Sequence, residues 1–226
     1  MNTNFTIASL LLTLCSSVQM QAAPLNPAVS SWLAAQTNVQ SWTADLVQTR
    51  SLKSLTQPLP SAKGHVWFAA PNRFRWELGS PAQTIAVRAT NEMLVIYPRL
   101  KRVERFPLSG VQAGPWKDAL ALLEAGFPRN AQQLESQYNI LDQVVQDTVV
   151  KLVLQPKSSA ARRMMPQIQI EFDRGDLALR ATELQFADGS IMRNDFSNAV
   201  LNPPVKAEQF APAIPPDYKV VEPLKK

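Results

Sequence analysis

Residues 64–78, with the sequence GHVWFAAPNRFRWEL, decide the fold class of this chain. The second half of the stretch, at 73–78, alternates polar and apolar residues, which places Phe74, Trp76 and Leu78 on one face of a β-strand. A strand with one apolar and one polar face is typical of an antiparallel sheet. Pro71 and Asn72 just before it form a turn signal between two strands. The stretch therefore predicts two neighbouring antiparallel strands.

The same period of two recurs on both sides of this stretch. Asp188-Gly189 and the DRGD sequence at 173–176 are hairpin turn signals. Together these patterns predict about ten strands and a short one in the proline-rich tail. The predicted strands are 41–52, 64–68, 73–78, 83–89, 93–97, 138–145, 148–155, 167–172, 177–186 and 191–200, with 218–221 in the tail.

Two amphipathic helices accompany the strands. Residues 25–36 place Val29, Trp32 and Leu33 on one face, after an Asn26-Pro27 start. Residues 114–126 form the strongest helix pattern of the chain. An antiparallel sheet of about ten strands curls into a barrel or splits into two packed sheets. Two apolar helix faces are a natural cover for the concave side of a curved sheet.

The first 23 residues have the character of a signal peptide. They carry no charged side chain, and a short apolar run at 7–14 leads to a small-residue site at Ala22 and Ala23. We therefore expect an exported protein with a mature domain at 24–226. Cys15, the single cysteine, is either a residue of a discarded leader or a lipidated cysteine; Leu14 before it disfavours lipidation. No later segment is long and apolar enough to predict a membrane span.

The 226-residue chain has a net charge of +5, with 46% hydrophobic and 18% charged residues. This composition indicates a globular domain. Basic residues cluster at 99–105 and at Arg162-Arg163. Two interpretations remain open for them: a surface that meets anionic lipid heads or an acidic partner, or a solvated face. Nucleic acid is not an expected partner, because aromatic-basic stacking motifs are missing from the sequence.

Residues for catalysis are scarce in the sequence. His65 is the single histidine, and neither a nucleophile elbow nor a phosphate loop accompanies it. Glu183, Asp188 and Asp195 form the nearest approach to a carboxylate pair. We therefore predict a protein that is not an enzyme and that uses neither a metal nor a cofactor. The many aromatic residues fit either a plain hydrophobic core or an apolar binding site.

The 64–77 stretch resembles the signature of the LolA-like periplasmic lipoprotein carriers: a Gly, an alternating strand with Trp or Phe, Pro-Asn, and an R-F-x-W-like strand. Other segments resemble that family in the same order. They are DLVQ at 45–48, the strand and proline at 93–98, the helix at 116–126 in the place of a lid helix, and the FAP…PP…VV ending at 210–221. The resemblance covers residues 25 to 221.

The resemblance implies an unclosed antiparallel β-barrel capped by two or more lid helices, monomeric and located in the periplasm. It also implies a cavity for the acyl chains of a lipoprotein or another lipid-anchored cargo. An inner-membrane ABC-type transporter would be the donor, and an outer-membrane protein the acceptor. The lipid-binding residues implied by the resemblance are Trp32, Leu33, Trp42, Trp67, Phe68, Phe74, Trp76, Trp116, Leu120 and Leu123, with Arg73 and Arg75 as contacts to the lid or at the rim.

Three departures from the family pattern indicate a divergent member. Ala70 stands where well-known members have an Arg that ties the lid to the barrel. The sequence ATNE at 89–92 replaces an Asp-Gly turn, and Tyr97-Pro98 replaces a Tyr-x-Pro. Two other functions remain open: a periplasmic lipid or lipoprotein sensor on the same scaffold, and a β-sandwich enzyme that uses His65 or a carboxylate pair.

Overall fold

The structure is a computed structural model that describes residues 24–88, 91–108, 128 and 130–223. Three α-helices and two short 3₁₀ turns, at Pro98–Leu100 and Ala207–Phe210, accompany the strands in these ranges. The helices are α1 (Pro27–Gln36), α2 (Ala131–Gln137) and α3 (Ser159–Met164). The strands are β1 (Ser41–Ser51), β2 (Ala62–Ala69), β3 (Arg73–Leu78), β4 (Thr84–Arg88), β5 (Glu92–Tyr97), β6 (Arg102–Pro107), β7 (Tyr138–Gln146), β8 (Val149–Pro156), β9 (Gln167–Asp173), β10 (Leu179–Gln185), β11 (Ile191–Leu201) and β12 (Lys219–Val221).

All twelve strands of the described ranges form one curved, unclosed sheet in the order β12-β6-β5-β4-β3-β2-β1-β11-β10-β9-β8-β7. The predicted fold class, an open sheet with few helices, is confirmed. One detail is corrected: β12 pairs with β6 in parallel, so the sheet is not antiparallel throughout. β12 and β7 lie at opposite edges of the sheet. We call the concave face, which carries Phe74 and Trp76, the inner face, and the convex face the outer face.

Helix α1 begins as the sequence predicts. The Asn26 side chain accepts a hydrogen bond from the Ala28 backbone N–H at 2.9 Å, and Pro27 occupies the first turn. Val29, Trp32 and Leu33 are buried in the main hydrophobic core. That core also contains the inner-face residues of β8 and β9, among them Leu152, Leu154, Ile168, Ile170 and Phe172. Helix α1 therefore fills the inner face over this half of the sheet.

The outer face of the other half is covered by the end of the chain. Phe210 is buried with Ala69 and Val87, while Ile214 and Tyr218 pack against the outer-face residues of β5 and β6. The chain then adds β12 to the free side of β6. We call residues 202–221 the C-terminal segment. Because this segment lies on the outer face and α1 lies over the other half of the sheet, neither of them covers the inner face of β3–β6.

Three elements were not predicted from the sequence. Strand β6 overlaps the basic cluster at 99–105. Its buried residues, Val103 and Phe106, are three positions apart, so the strand shows no period of two in its apolar residues. Much of that cluster is ion-paired: Lys101 with Asp217, Arg102 with Glu104, and Arg105 with Glu92. Helices α2 and α3 are seven and six residues long, too short for a helical period to stand out. The predicted helix at 114–126 and the predicted signal peptide lie outside the described residues.

Candidate functional site

A groove with a volume of about 230 Å³ opens on the inner face between β1 and β3–β5. Most of its wall is apolar and comes from β3, β4 and β5. The apolar wall residues are Phe74, Trp76, Leu78, Ala86, Met93, Val95 and, from β11, Met192. An apolar concave surface with a few polar groups is the usual form of a site for an apolar ligand.

Strand register explains why these side chains meet. Trp76 pairs with Ala86, and Ala86 pairs with Val95. Paired residues of an antiparallel ladder point to the same face, so one row crosses three strands. The methyl group of Ala86 is the smallest side chain of this row and lies beside the largest. The small side chain of Ala86 therefore leaves a hollow beside Trp76. A large side chain at that position would fill the hollow.

Gly64 allows β2 and β3 to approach each other closely next to the groove. It pairs with Leu78 at the end of β3. A Cβ atom placed on Gly64 would overlap the carbonyl oxygen of Glu77, so only glycine fits there. This is the physical reason for the Gly at the start of the decisive stretch.

One end of the groove is polar. Gln48, Arg50, Thr84 and Tyr97 line it, and the register of β3 and β4 places Thr84 beside Leu78 at the end of β3. The Arg50 Nε donates a hydrogen bond to the Gln48 Oε1 at 2.9 Å. Burial raises the pKa of the Tyr97 hydroxyl, and the neighbouring Glu104 carboxylate raises it further. The groove therefore runs from an apolar end at Phe74 and Met93 to a polar end at Arg50.

Arg88 lies on the inner face beyond the apolar end, between Phe74 and Met93 in the ladder. Burial lowers the pKa of its guanidinium. The register places Arg50, Arg88 and Arg102 on the inner face. Of these three, Arg50 is the one that lines the groove.

The structure brings two of the predicted lipid-binding residues, Phe74 and Trp76, into the groove wall. Phe68 is on the same inner face, paired with Phe74, but it is buried in the main core. Trp32, Leu33 and Trp42 are also in that core, at 0%, 2% and 2% exposure. These four residues pack against protein side chains and do not line the groove.

Trp67 and the two arginines predicted at the lid or rim lie on the outer face of the sheet. Trp67 follows an inner-face residue in β2, so it points to the outer face, where it packs near Phe210. Arg73 and Arg75 share that outer face: the Arg73 guanidinium lies 5.2 Å from the centre of the Phe210 ring, and the Arg75 Nη1 donates to the Gln209 carbonyl oxygen at 3.1 Å. Both arginines therefore hold the C-terminal segment on the face opposite the groove.

Trp116, Leu120 and Leu123 lie outside the described residues. Several groove residues were missed from the sequence, namely Leu78, Ala86, Met93, Val95 and Met192. Alternation in β4 and β5 indicates most of them, because every second residue of a strand in the same sheet faces the side that carries Phe74 and Trp76. The register between the strands, which the sequence did not supply, was needed to choose the set.

The single histidine lies on the outer face, away from the groove. His65 shares a hydrogen bond of 2.8 Å with Asp45, whose other carboxylate oxygen accepts from Asn198 at 2.8 Å. These hydrogen bonds, first from Asn198 and then from His65, hold the pKa of the Asp45 carboxyl below its usual value. Within the described ranges, no group of three His, Cys, Asp or Glu residues is placed to hold a metal ion.

None of the helices in the described part of the chain is long and apolar enough to cross a bilayer.

Comparison with known proteins identifies the family. The sequence profile described as "Outer membrane lipoprotein carrier protein LolA" matches residues 37–213. The chain belongs to this family. An outer-membrane lipoprotein carrier protein from Chromohalobacter salexigens is 26% identical over 185 residues, which are 81% of this chain and 81% of that protein.

Two solved structures are also similar to this member of the LolA family. An uncharacterized conserved protein from Thermus thermophilus has a TM-score of 0.49 and 12% identity, covering 86% of this chain and 99% of its own. A LolA superfamily protein from Nitrosomonas europaea has a TM-score of 0.40 and 10% identity, covering 80% and 96%.

Ala70 is one of the positions at which this LolA-family chain departs from the family pattern, and it has its own arrangement. The Ala70 N–H donates to the Gln40 carbonyl oxygen at 2.8 Å, and its side chain packs against the main core. The position therefore ties the end of β2 to the start of β1 and contributes no cation to the inner face.

Proposed function

We propose that this protein is a periplasmic carrier that binds the acyl chains of a lipoprotein, or of another lipid-anchored molecule, in the groove. It would carry its cargo from the inner to the outer membrane. The groove lined by Phe74, Trp76, Met93 and Val95 supports this proposal, because a mostly apolar concave surface suits hydrocarbon better than water. Membership of the LolA family supports it independently.

The energetics favour a container for such a cargo. Moving a methylene from membrane to water costs ~0.8 kcal/mol, so one chain of about 15 methylenes costs roughly 12 kcal/mol. A diffusing intermediate needs a matching apolar surface to offset that cost. Release requires that the groove hold the chain no more tightly than the next site does. The carrier role needs no covalent step, and we propose accordingly that the protein is not an enzyme.

The proposed partners follow from this role. An ABC-type transporter of the inner membrane would donate the cargo, and an outer-membrane protein would accept it. We propose that the carrier is a monomer, because a single chain already provides the groove walls from β1, β3, β4, β5 and β11.

Mass spectrometry of the protein purified natively from its periplasm tests the proposal. We expect co-purified acyl-chain or lipoprotein signal, and its loss in Trp76→Glu, because a carboxylate in the groove wall opposes hydrocarbon binding. Val200→Glu, at a residue that is 52% exposed, is the control that adds the same charge and should retain the cargo. Far-UV circular dichroism should show the same β-rich fold in both variants.

Two results would contradict the proposal. One is a native protein that is free of lipid and that never retards insertion of a lipoprotein into membranes. The other is a stable complex with a signalling protein in pull-downs together with empty grooves, which is the behaviour of a sensor and not of a carrier.

A further inference from the structure

Arg50 is the exposed cation among the residues that line the groove, and a hydrogen bond to Gln48 holds its side chain. Its Nε donates to the Gln48 Oε1 at 2.9 Å, and Gln48 is only 6% exposed. Its two Nη nitrogens have no hydrogen bond or ion pair to any described residue. Arg50 therefore presents unused donors where the groove opens to solvent.

A buried polar row fixes the side chain that holds Arg50. The Gln48 Nε2 donates to the Asn194 Oδ1 at 2.9 Å, and the Asn194 Nδ2 donates to the Thr182 Oγ1 at 3.1 Å. Asn194 is 1% exposed and Thr182 is 9% exposed. Because Gln48 gives its amide N–H to Asn194, its carbonyl oxygen must face Arg50. Buried amide groups are almost always hydrogen-bonded, so Gln48 and Asn194 are held in these orientations. The Gln48 carbonyl oxygen in turn restricts the orientation of the Arg50 guanidinium.

The charge around the polar end favours an anion. Arg102 and Glu104 form an ion pair of 2.6 Å near Tyr97, and their charges nearly cancel. Among the described residues that line the groove, Arg50 is the charged one, and it forms no ion pair with another described residue. Guanidinium donors in a fork match the oxygens of a carboxylate or a phosphate, and such charge-assisted hydrogen bonds are about twice as strong as neutral ones.

We propose that Arg50 binds an oxyanion in the head group of the cargo, a carboxylate or a phosphate, at the point where the acyl chain leaves the groove. This inference rests on the proposed carrier function and specifies its cargo: an acyl chain with an anionic group close to its attachment. The hydrocarbon lies against Trp76 and Val95, and the head group lies against Arg50. Gln48, Asn194 and Thr182 are positioning residues in this site.

Three ligands with one chain and different heads test the proposal: oleate, oleyl phosphate and oleyl alcohol. Their dissociation constants are measured with the full protein below the concentration at which each ligand forms micelles. We expect the native protein to bind both anions about tenfold or more tighter than the alcohol. Arg50→Gln should lose this preference and bind the alcohol as the native protein does. Arg50→Lys should keep part of it.

Arg163→Gln is the matched control, because Arg163 is exposed on α3 and its loss changes the net charge equally. It should keep the full preference, which separates a local contact from a general charge effect. Inorganic phosphate at constant ionic strength distinguishes the two sources of an oxyanion. We expect it not to displace oleate at millimolar concentrations, because the free ion lacks the chain.

Each remaining outcome has a clear meaning. Equal affinity of the native protein for all three ligands would overturn the Arg50 site and leave the carrier proposal standing. Displacement of oleate by inorganic phosphate alone would overturn it in favour of a site for free anions. Failure of all three ligands to bind would contradict the carrier proposal itself.

Discussion

Two tryptophans of the inner face, Trp32 and Trp76, differ in their surroundings. Trp32 is fully buried and stacked on Phe172, with ring centres 4.7 Å apart. Trp76 is partly exposed in the groove wall and meets Phe196 edge-on at 6.0 Å. We predict that Trp32→Ala lowers the free energy of unfolding by about 3–5 kcal/mol. Trp76→Ala should lower it by roughly 1–2 kcal/mol, because only part of the ring leaves apolar surroundings.

For ligand binding, we expect Trp76→Ala to have the larger effect of the two variants. Trp76→Ala should weaken oleate binding at least tenfold, and Trp32→Ala should leave it nearly unchanged at a temperature where the variant is folded. Chemical denaturation and titration with oleate measure the two quantities. Equal effects of the two variants on binding would show that the groove and the α1 core are not separate.

A second residue-scale prediction concerns Glu171 on the outer face. Its carboxylate accepts hydrogen bonds from Arg193, the shorter at 2.7 Å, and this holds the pKa of Glu171 below its usual value. A carboxyl whose pKa is lower in the folded state stabilises the fold above its unfolded pKa, near 4.3, and loses that contribution as pH falls through the folded value. We expect Glu171→Gln to cost roughly 1–3 kcal/mol at pH 7.

The difference between native protein and Glu171→Gln should shrink as the pH falls from about 5 and vanish once Glu171 is protonated. Denaturation curves at several pH values measure it. Glu208→Gln, at an exposed position in the C-terminal segment, should show no such trend. A difference that stays constant down to pH 2 would mean that the ion pair does not stabilise the fold.

At the scale of elements, Phe210 is the most deeply buried anchor of the C-terminal segment. Phe210 is 3% exposed and lies beneath the Arg73 guanidinium. Phe210→Ala should free this segment locally, because a buried phenylalanine typically contributes about 3–5 kcal/mol. Hydrogen exchange should then become faster in β12 and β6, while the amides of β8 and β9 keep their protection. Uniform faster exchange across the sheet would show that the segment is not an independent unit.

The elements also show how far the sequence alone leads. Alternation predicted β3 to within its observed bounds, and Asn26-Pro27 predicted the start of α1. The alternation of polar and apolar residues indicates which residues share a face of the sheet. It does not indicate which face the rest of the chain covers. Alternation therefore does not predict that the C-terminal segment covers the face that carries Arg73 and Arg75. The groove depends on register between strands that are distant in sequence, and no local pattern contains that register.

At the scale of the molecule, and among the described residues, α1 fills one half of the inner face and the groove occupies the other half. Phe196 lies at the boundary, edge-on to Trp42 of the core at 5.2 Å and to Trp76 of the groove at 6.0 Å. The apolar surface is therefore continuous beneath α1. The groove volume of about 230 Å³ is below the ~300–1,000 Å³ of sites for drug-sized ligands. A cargo with three acyl chains needs more space than the groove provides.

Because the apolar surface of the groove continues into the core beneath α1, we predict that α1 moves for a triacylated lipopeptide and stays in place for oleate. Hydrogen exchange of the α1 amides, measured at saturation with each ligand, tests this. We expect faster exchange in α1 with the lipopeptide only, because its chains would displace Val29, Trp32 and Leu33 from the surface of β8 and β9. The cost of exposing that helix face would be offset by burial of the chains. Unchanged α1 protection with the lipopeptide bound would show that multiple chains are accommodated without opening the core.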